Sequence, residues 1–299
     1  MSSGLRAGVF GLGLIGSRVA DRVQLAGFPL AVWNRTDRRF EGLPVPAPDP
    51  ASVARDADIL QIFVADDQAL HDTVRALIPA LGPRHVVLSH ATVAPQTVRE
   101  LAADVTATGA AFLDAPFTGS RDAAAQGQIT YYIGGEAAAL ERARPVLAAS
   151  AKAILPVGEV GQASAVKLAT NIMAAAAAVS LAEAIHLLEA NGVDPQRLVA
   201  ALENNAARSG VTDLKLPCML GRDFAPRFSA RNMRKDLRLA SAAAAPEHRT
   251  LTDTMFSLYE QACQSGLADE DFATIIKVRS PATESSAPLK TEPSLRDRP

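Results

Sequence analysis

The stretch AGVFGLGLIGSRVA, residues 7–20, limits the fold more than any other part of the chain. It sets glycines at 11, 13 and 16 directly after an apolar run and directly before an amphipathic one. In this G-x-G-x-x-G spacing Gly11 allows a tight strand-to-helix turn. Gly13 lets a pyrophosphate approach the backbone, and Gly16 lets helix and strand pack closely. The turn of Gly11, Leu12, Gly13, Leu14, Ile15 and Gly16 also opens a helix, whose first N–H groups are free for phosphate oxygens. A merely convenient glycine turn is the plainer reading of the same spacing. The strand–turn–helix context favours the phosphate cradle, and so does a second strand ending where the fingerprint needs one.

A strand that feeds a helix in this way commits the chain to right-handed crossovers and a mainly parallel sheet. The pattern that follows agrees. Short apolar runs predict strands at Ala7–Phe10, Leu30–Trp33, Ile59–Val64, His85–Ser89, Ala111–Asp114, Ile129–Gly134 and Ala153–Val157. Amphipathic runs predict helices between them, among them Ile15–Ala26, Gln68–Leu81, Pro95–Thr108 and Ala137–Ser150. After Gly161 the strand signal stops. Ser164 to Asn191 predicts one helix of about 40 Å, which Gly192 is placed to end. Further helices are expected over Pro195–Asn205, Thr212–Leu220, Met233–Ala245 and Thr250–Ser265. The expected organisation is an α/β domain over residues 1–161 and an all-helical domain over residues 162–279, joined by the long helix. Residues 280–299, rich in Ser, Pro and charge, are expected to be a disordered tail.

Composition excludes several classes. A net charge of -2 with acidic and basic residues interspersed leaves no nucleic-acid footprint. Cys218 and Cys263 are the only cysteines, far apart and without metal-ligand spacing, and the five histidines suggest no metal site either. The N-terminus goes straight into a strand with no apolar signal core. The most apolar run, Ile172 to Ala182, is too short to span a bilayer. A cytoplasmic protein without membrane contact is the expectation.

The second strand ends in VWNRT. Sites selective for NAD usually place Asp or Glu here, against the ribose 2′-hydroxyl. Asn34 carries no charge to repel a 2′-phosphate, and Arg35 and Thr36 offer it charge-assisted and neutral hydrogen bonds. NADP(H) is therefore expected in preference to NAD(H). The plainer alternative makes Arg35 a solvated loop arginine.

One lysine, Lys167, stands near the start of an otherwise apolar and small-residue helix, and Asn171 follows one turn later on the same face. Burying an ammonium is costly unless it is paired or its proton is used. Four stretches now line up: GLGLIG, DAPFTGSRDAAAQGQITYYIGG from Asp114, GQASAVKLATN from Gly161, and FSARNMRKDLRLA from Phe228. Together, and in order to about residue 278, they resemble the β-hydroxyacid dehydrogenase family. That family includes 3-hydroxyisobutyrate dehydrogenase and the glyoxylate/succinic semialdehyde reductases, and is 6-phosphogluconate dehydrogenase-like.

The resemblance implies a substrate loop at Thr118, Gly119 and Ser120, with Lys167 as catalyst and Asn171 as its substrate-binding neighbour. It also implies cofactor contacts at Val64 and Ala65 after the third strand, at Thr92 in ATVAP, and at Lys235 in the K-D-L segment. It further implies a small carboxylate substrate and a homodimer or homotetramer. A desolvated lysine with a lowered pKa suits the chemistry, since it donates a proton to the developing alkoxide during reduction and recovers it during oxidation.

Where the family has glycine or serine, the chain has Ala163, Ala91, Thr118 and Ser120, departures that bear on substrate more than on reaction type. Arg121 is either a carboxylate clamp or an exposed loop residue. His90 beside the cofactor turn is expected to be structural or at the surface. Two other functions stay open: an imine reductase of the same architecture, against which Lys167 weighs, and a non-catalytic NADP-binding module.

Overall fold

The computed structural model describes residues 4–36 and 39–278, so the tail expected from residue 280 lies outside the described residues. Eight strands form one sheet in the order β2-β1-β3-β4-β5-β7-β6, with β8 added beside β7. The strands are β1 (Ala7–Phe10), β2 (Leu30–Trp33), β3 (Ile59–Ile62), β4 (Val86–Ser89), β5 (Ala111–Asp114), β6 (Phe117–Thr118), β7 (Ile129–Gly134) and β8 (Ala151–Gly158). The first five pair in parallel, β7 runs antiparallel to β5 and β6, and β8 is again parallel to β7. Every residue of β1, β3 and β4 is buried, because helices cover both faces of a parallel sheet.

The pairing register puts Trp33, Phe10, Ile62, Ser89 and Asp114 opposite one another in a single row. The carboxyl ends of the five parallel strands therefore finish level. The chain leaves β1 toward β2 on one side and returns to β3 on the other, so the reversal point of the sheet lies at β1 on that row. A crevice at such a point is where α/β sheets bind ligands.

The helices of this half are α1 (Gly16–Leu25), α2 (Pro50–Asp56), α3 (Asp67–Leu77), α4 (Pro95–Thr106), α5 (Arg121–Ala125) and α6 (Ala137–Ala148). The apolar pattern did not lead to α2, α5 or β6. The two helices are too short to show a period, and each is started by a cap. Asp49 accepts from the Ser52 N–H at 2.8 Å ahead of Pro50, and Ser120 accepts from the Ala123 N–H at 3.1 Å. Strand β3 stops two residues short of expectation, which leaves Val64 and Ala65 in the loop that follows it.

The second half is helical: α7 (Gln162–Ala190), α8 (Arg197–Glu203), α9 (Gly210–Leu220), α10 (Ala230–Ala243) and α11 (Thr250–Ala262), closed by a 3₁₀ segment at Phe272–Lys277. α10 begins at Ala230, three residues before the expected start, because Ser229 caps it by accepting from the Asn232 N–H. α7 is the axis of this half. Ser164, Leu168, Asn171, Ala175, Ala178, Ala182 and Ile185 recur at three- and four-residue spacing and face inward. The later members of that stripe pack with Leu216, Met219, Met233, Met255 and Tyr259 in the helical core. With 29 residues and a mean hydropathy of 1.6 over its most apolar window, α7 is by length and composition long enough to cross a bilayer, unlike the shorter run read from sequence. Cys218 and Cys263 are both free thiols.

Candidate active site

The glycine turn rises from the end of β1. Gly11 has φ +85°, and a Cβ there would stand 2.0 Å from the Phe63 carbonyl oxygen, so no other residue fits. A Cβ on Gly16 would meet the Gly11 carbonyl oxygen at 2.0 Å. Gly13 differs, since among the described residues no atom beyond its chain neighbours lies within 4 Å of where its Cβ would be. The space it keeps open lies over the start of α1, whose N-terminus has no side-chain cap. Open space above uncapped helix N–H groups fits the pyrophosphate of a dinucleotide.

Asn34, at the end of β2, is tied into this turn. Its Oδ1 accepts from the Leu12 N–H at 2.9 Å, and its Nδ2 donates to the Thr36 carbonyl at 2.9 Å and to Thr36 Oγ1 at 2.8 Å. The side chain read from sequence as an uncharged neighbour of the ribose is therefore also the brace between strand end and cradle. Leu14 is exposed at the lip and Ile15 is half-buried. Arg35 is exposed and has no hydrogen-bond or ion-pair partner among the described residues. Val64 and Ala65 follow β3 at the same level, and Thr92 follows β4.

Asp114 ends β5 and is fully buried. Its Oδ2 accepts from the N–H groups of Gly161 at 3.0 Å and Ser164 at 2.8 Å, and its Oδ1 accepts from Ser164 Oγ at 2.7 Å. This carboxylate therefore caps α7 from across the fold, in the absence of any local side-chain cap. Burial pushes its pKa up against the pull of those hydrogen bonds. Sequence reading gave Asp114 no role. The signal available was indirect: Gly161 starts the longest helix without a capping side chain.

One turn into α7, Lys167 Nζ donates to Asn171 Oδ1 at 3.0 Å. Asn171 Nδ2 donates to Asp236 Oδ2 at 2.6 Å. Asp236 is 1% exposed, and its other oxygen lies 2.8 Å from Lys235 Nζ. Lys235 in turn donates to the Thr92 carbonyl at 2.5 Å. The chain Lys167–Asn171–Asp236–Lys235–Thr92 thus runs from the helical half back to the strand row. Burial lowers the Lys167 pKa. The Asp236 carboxylate raises it again, and the Lys235 charge lowers it further.

Four residues expected at the site are therefore joined through Asp236, which sequence reading passed over although it stands beside Lys235. Thr118, Gly119 and Ser120 are exposed and make no hydrogen bond to this network. Gly119 has φ +147°, and the Ser120 hydroxyl caps α5. Arg121 pairs with Asp122 at 3.2 Å in solvent.

His90 is buried, not at the surface. It stacks on Phe63 at 4.3 Å, its Nδ1 is 2.6 Å from the Ala115 carbonyl, and burial lowers its pKa to about 4. It is a neutral brace between the ends of β4 and β5. Among the described residues no three His, Cys, Asp or Glu side chains gather as metal ligands.

Comparison with known proteins gives a consistent result. Residues 6–192 match the family described as the NAD binding domain of 6-phosphogluconate dehydrogenase. Residues 161–279 match the NAD-binding region of NADP-dependent 3-hydroxyisobutyrate dehydrogenase. Glyoxylate/succinic semialdehyde reductase 2 of Arabidopsis thaliana is 30% identical over 291 residues, covering 94% of this chain and 81% of its own. An NAD-dependent L-serine dehydrogenase of Pseudomonas aeruginosa is 30% identical over 287 residues, covering 91% and 96%. A structure of Mycobacterium tuberculosis 3-hydroxyisobutyrate dehydrogenase with L-serine has the same fold, with a TM-score of 0.85 at 24% identity over 92% of this chain and 99% of that one.

Proposed function

The chain belongs to the β-hydroxyacid dehydrogenase family of NAD(P)-dependent oxidoreductases acting on hydroxyacids, and from that premise we propose that it interconverts a small β-hydroxyacid and its semialdehyde with NADP(H). The observation that carries this reading is Lys167, a half-buried amine held by Asn171 one turn from the pinned start of α7, its pKa lowered by burial. Nicotinamide, when bound, supplies or takes the hydride. The protein's part is to hold the substrate carbon and to move one proton at its oxygen. In reduction Lys167 Nζ gives that proton to the developing alkoxide, and in oxidation the neutral amine takes it from the hydroxyl. Asn171 orients the same oxygen without adding charge. The exposed loop of Thr118, Gly119 and Ser120 offers a hydroxyl and backbone N–H groups to the carboxylate.

The preference for NADP(H) rests on the end of β2. Asn34 is neutral and its amide is fully engaged, while the exposed Arg35 guanidinium is free among the described residues to pair with a 2′-phosphate. The L-serine dehydrogenase relative is named as NAD-dependent, so the preference is a property to measure.

The test is nucleotide oxidation, followed by absorbance with NADPH and with NADH. The panel is succinic semialdehyde, glyoxylate, tartronate semialdehyde, methylmalonate semialdehyde and one cyclic imine. We expect turnover of an aldehyde acid with NADPH, and Lys167→Ala to keep NADPH binding while kcat falls by about 10²–10⁴. Near-normal turnover by that variant would overturn the lysine's role. Turnover of the imine alone would replace the substrate class. Equal kcat/KM with NADH would remove the cofactor preference.

A further inference from the structure

Asp236 has no part in the proton transfer as just described, yet the proton donor's neighbours converge on it. Its Oδ2 accepts from Asn171 Nδ2 at 2.6 Å. Its Oδ1 is within ion-pair distance of Lys235, at 2.8 Å, but out of line for a hydrogen bond, and no other group among the described residues bonds to it. Two lysines thus share one buried carboxylate, Lys235 by direct contact and Lys167 through an amide.

The amide gives that arrangement a direction. A carboxylate accepts only, so the Asn171 edge that meets Asp236 must be its NH₂. The carbonyl edge is then forced toward Lys167, where it can accept from an amine N–H but offers nothing to a neutral amine's lone pair. An amide turned the other way would present a donor to Lys167 and favour the deprotonated form. Resting on the reading of Lys167 as proton donor, we propose that Asp236 is a positioning residue that fixes the facing of Asn171 and divides charge between the two lysines, so that Lys167 stays protonated at the pH where reduction runs.

Several other charges on the elements packed against α7 and α10 are engaged elsewhere, while Arg238 of α10 and Glu183 of α7 make no ion pair among the described residues. Asp114 is bound to Ser164 and Gly161, and Arg99 of α4 lies against Gly161. Lys215 pairs with Asp271, Lys277 with Glu270, Arg234 with Glu260, and Asp253 with Arg249. Burial and Lys235 both lower the Lys167 pKa, and Asp236 is the group that opposes them.

The experiment compares the pH dependence of kcat in both directions for the full-length wild-type chain, Asp236→Asn and Lys235→Met, at saturating nucleotide. Without the carboxylate, Lys167 loses its proton more readily. In Asp236→Asn the basic limb of the reduction profile and the acidic limb of the oxidation profile should both move down by about one pH unit, a tenfold change in proton affinity. Lys235→Met removes the competing cation, and both limbs should move up. If Asp236→Asn does not fold, Lys235→Met decides alone. Profiles that coincide with wild type, or that move in the opposite directions, overturn the proposal. A fall in kcat with unmoved limbs would mark Asp236 as purely structural. Failure of the underlying reading has a separate signature, full turnover by Lys167→Ala.

Discussion

Replacing Asp114 separates what its shape does from what its charge does. In Asp114→Ala the N–H groups of Gly161 and Ser164 lose their acceptor inside the protein. The Ser164 hydroxyl can rotate, but the two backbone donors cannot. A buried donor left unsatisfied costs about 1–3 kcal/mol, so the pair costs about 2–6 kcal/mol. Part is offset because a carboxylate whose burial raises its pKa no longer has to be desolvated. We expect a net loss of about 3 kcal/mol.

Asp114→Asn keeps an oxygen for both N–H groups and turns an NH₂ toward Ser164 Oγ. It should stay within about 1 kcal/mol of wild type, since only the charge assistance is exchanged for easier burial. Urea unfolding followed by Trp33 emission and by helical circular dichroism reads both values. Lys167 lies three residues beyond Ser164, so Asp114→Ala should also lose more in kcat than in NADPH affinity. Alanine tolerated within about 1 kcal/mol, or asparagine as damaging as alanine, would refute this role for Asp114.

Two further outcomes follow from buried groups elsewhere. His90 titrates at about 4 in the fold against 6.5 in the unfolded chain, so its contribution is complete above pH 6.5 and is lost as pH falls toward 4, about 3 kcal/mol in all. Asp114, with a raised pKa, works in the opposite sense at low pH. The comparison is therefore between wild type and His90→Asn, whose stability should fall less steeply over that window; parallel curves would count against the assignment. In the helical half, Lys215 and Asp271 form a buried ion pair at 2.7 Å, 6% and 0% exposed. Lys215→Met should destabilise by about 3–5 kcal/mol while the folded fraction keeps wild-type kcat. A selective loss of kcat would show that the pair belongs to the active site.

Much of this molecule was legible in its sequence because its early elements follow local rules. Strands β1 and β2 were read to the residue, and the long helix nearly so, since both strands are continuous apolar runs and Gly192 marks a helix end. The glycine spacing carried the cradle. What escaped was set by distant or very short-range contacts. Asp114 acts 47 residues down the chain on Gly161 and 50 on Ser164, and no period links them. Asp236 was visible as a letter beside Lys235, but its meeting with Asn171 spans 65 residues and depends on how α10 crosses α7. The burial of His90 follows from sheet register and the rings around it, which a loop position after a strand does not reveal.

The level row from Trp33 to Asp114 bears on how such a protein can be retargeted. Each strand terminus is anchored by its neighbour's hydrogen bonds, and the residues that meet small molecules come after it. A loop beyond one terminus can be lengthened or rewritten as an independent wall of the cleft, with the other four termini undisturbed. Residues 118–121 are exposed, Thr118 ending β6 and Ser120 capping α5. On the proposed reading, libraries confined to those four positions would vary the shape offered to the substrate while leaving Lys167, Asn171 and Asp236 in place.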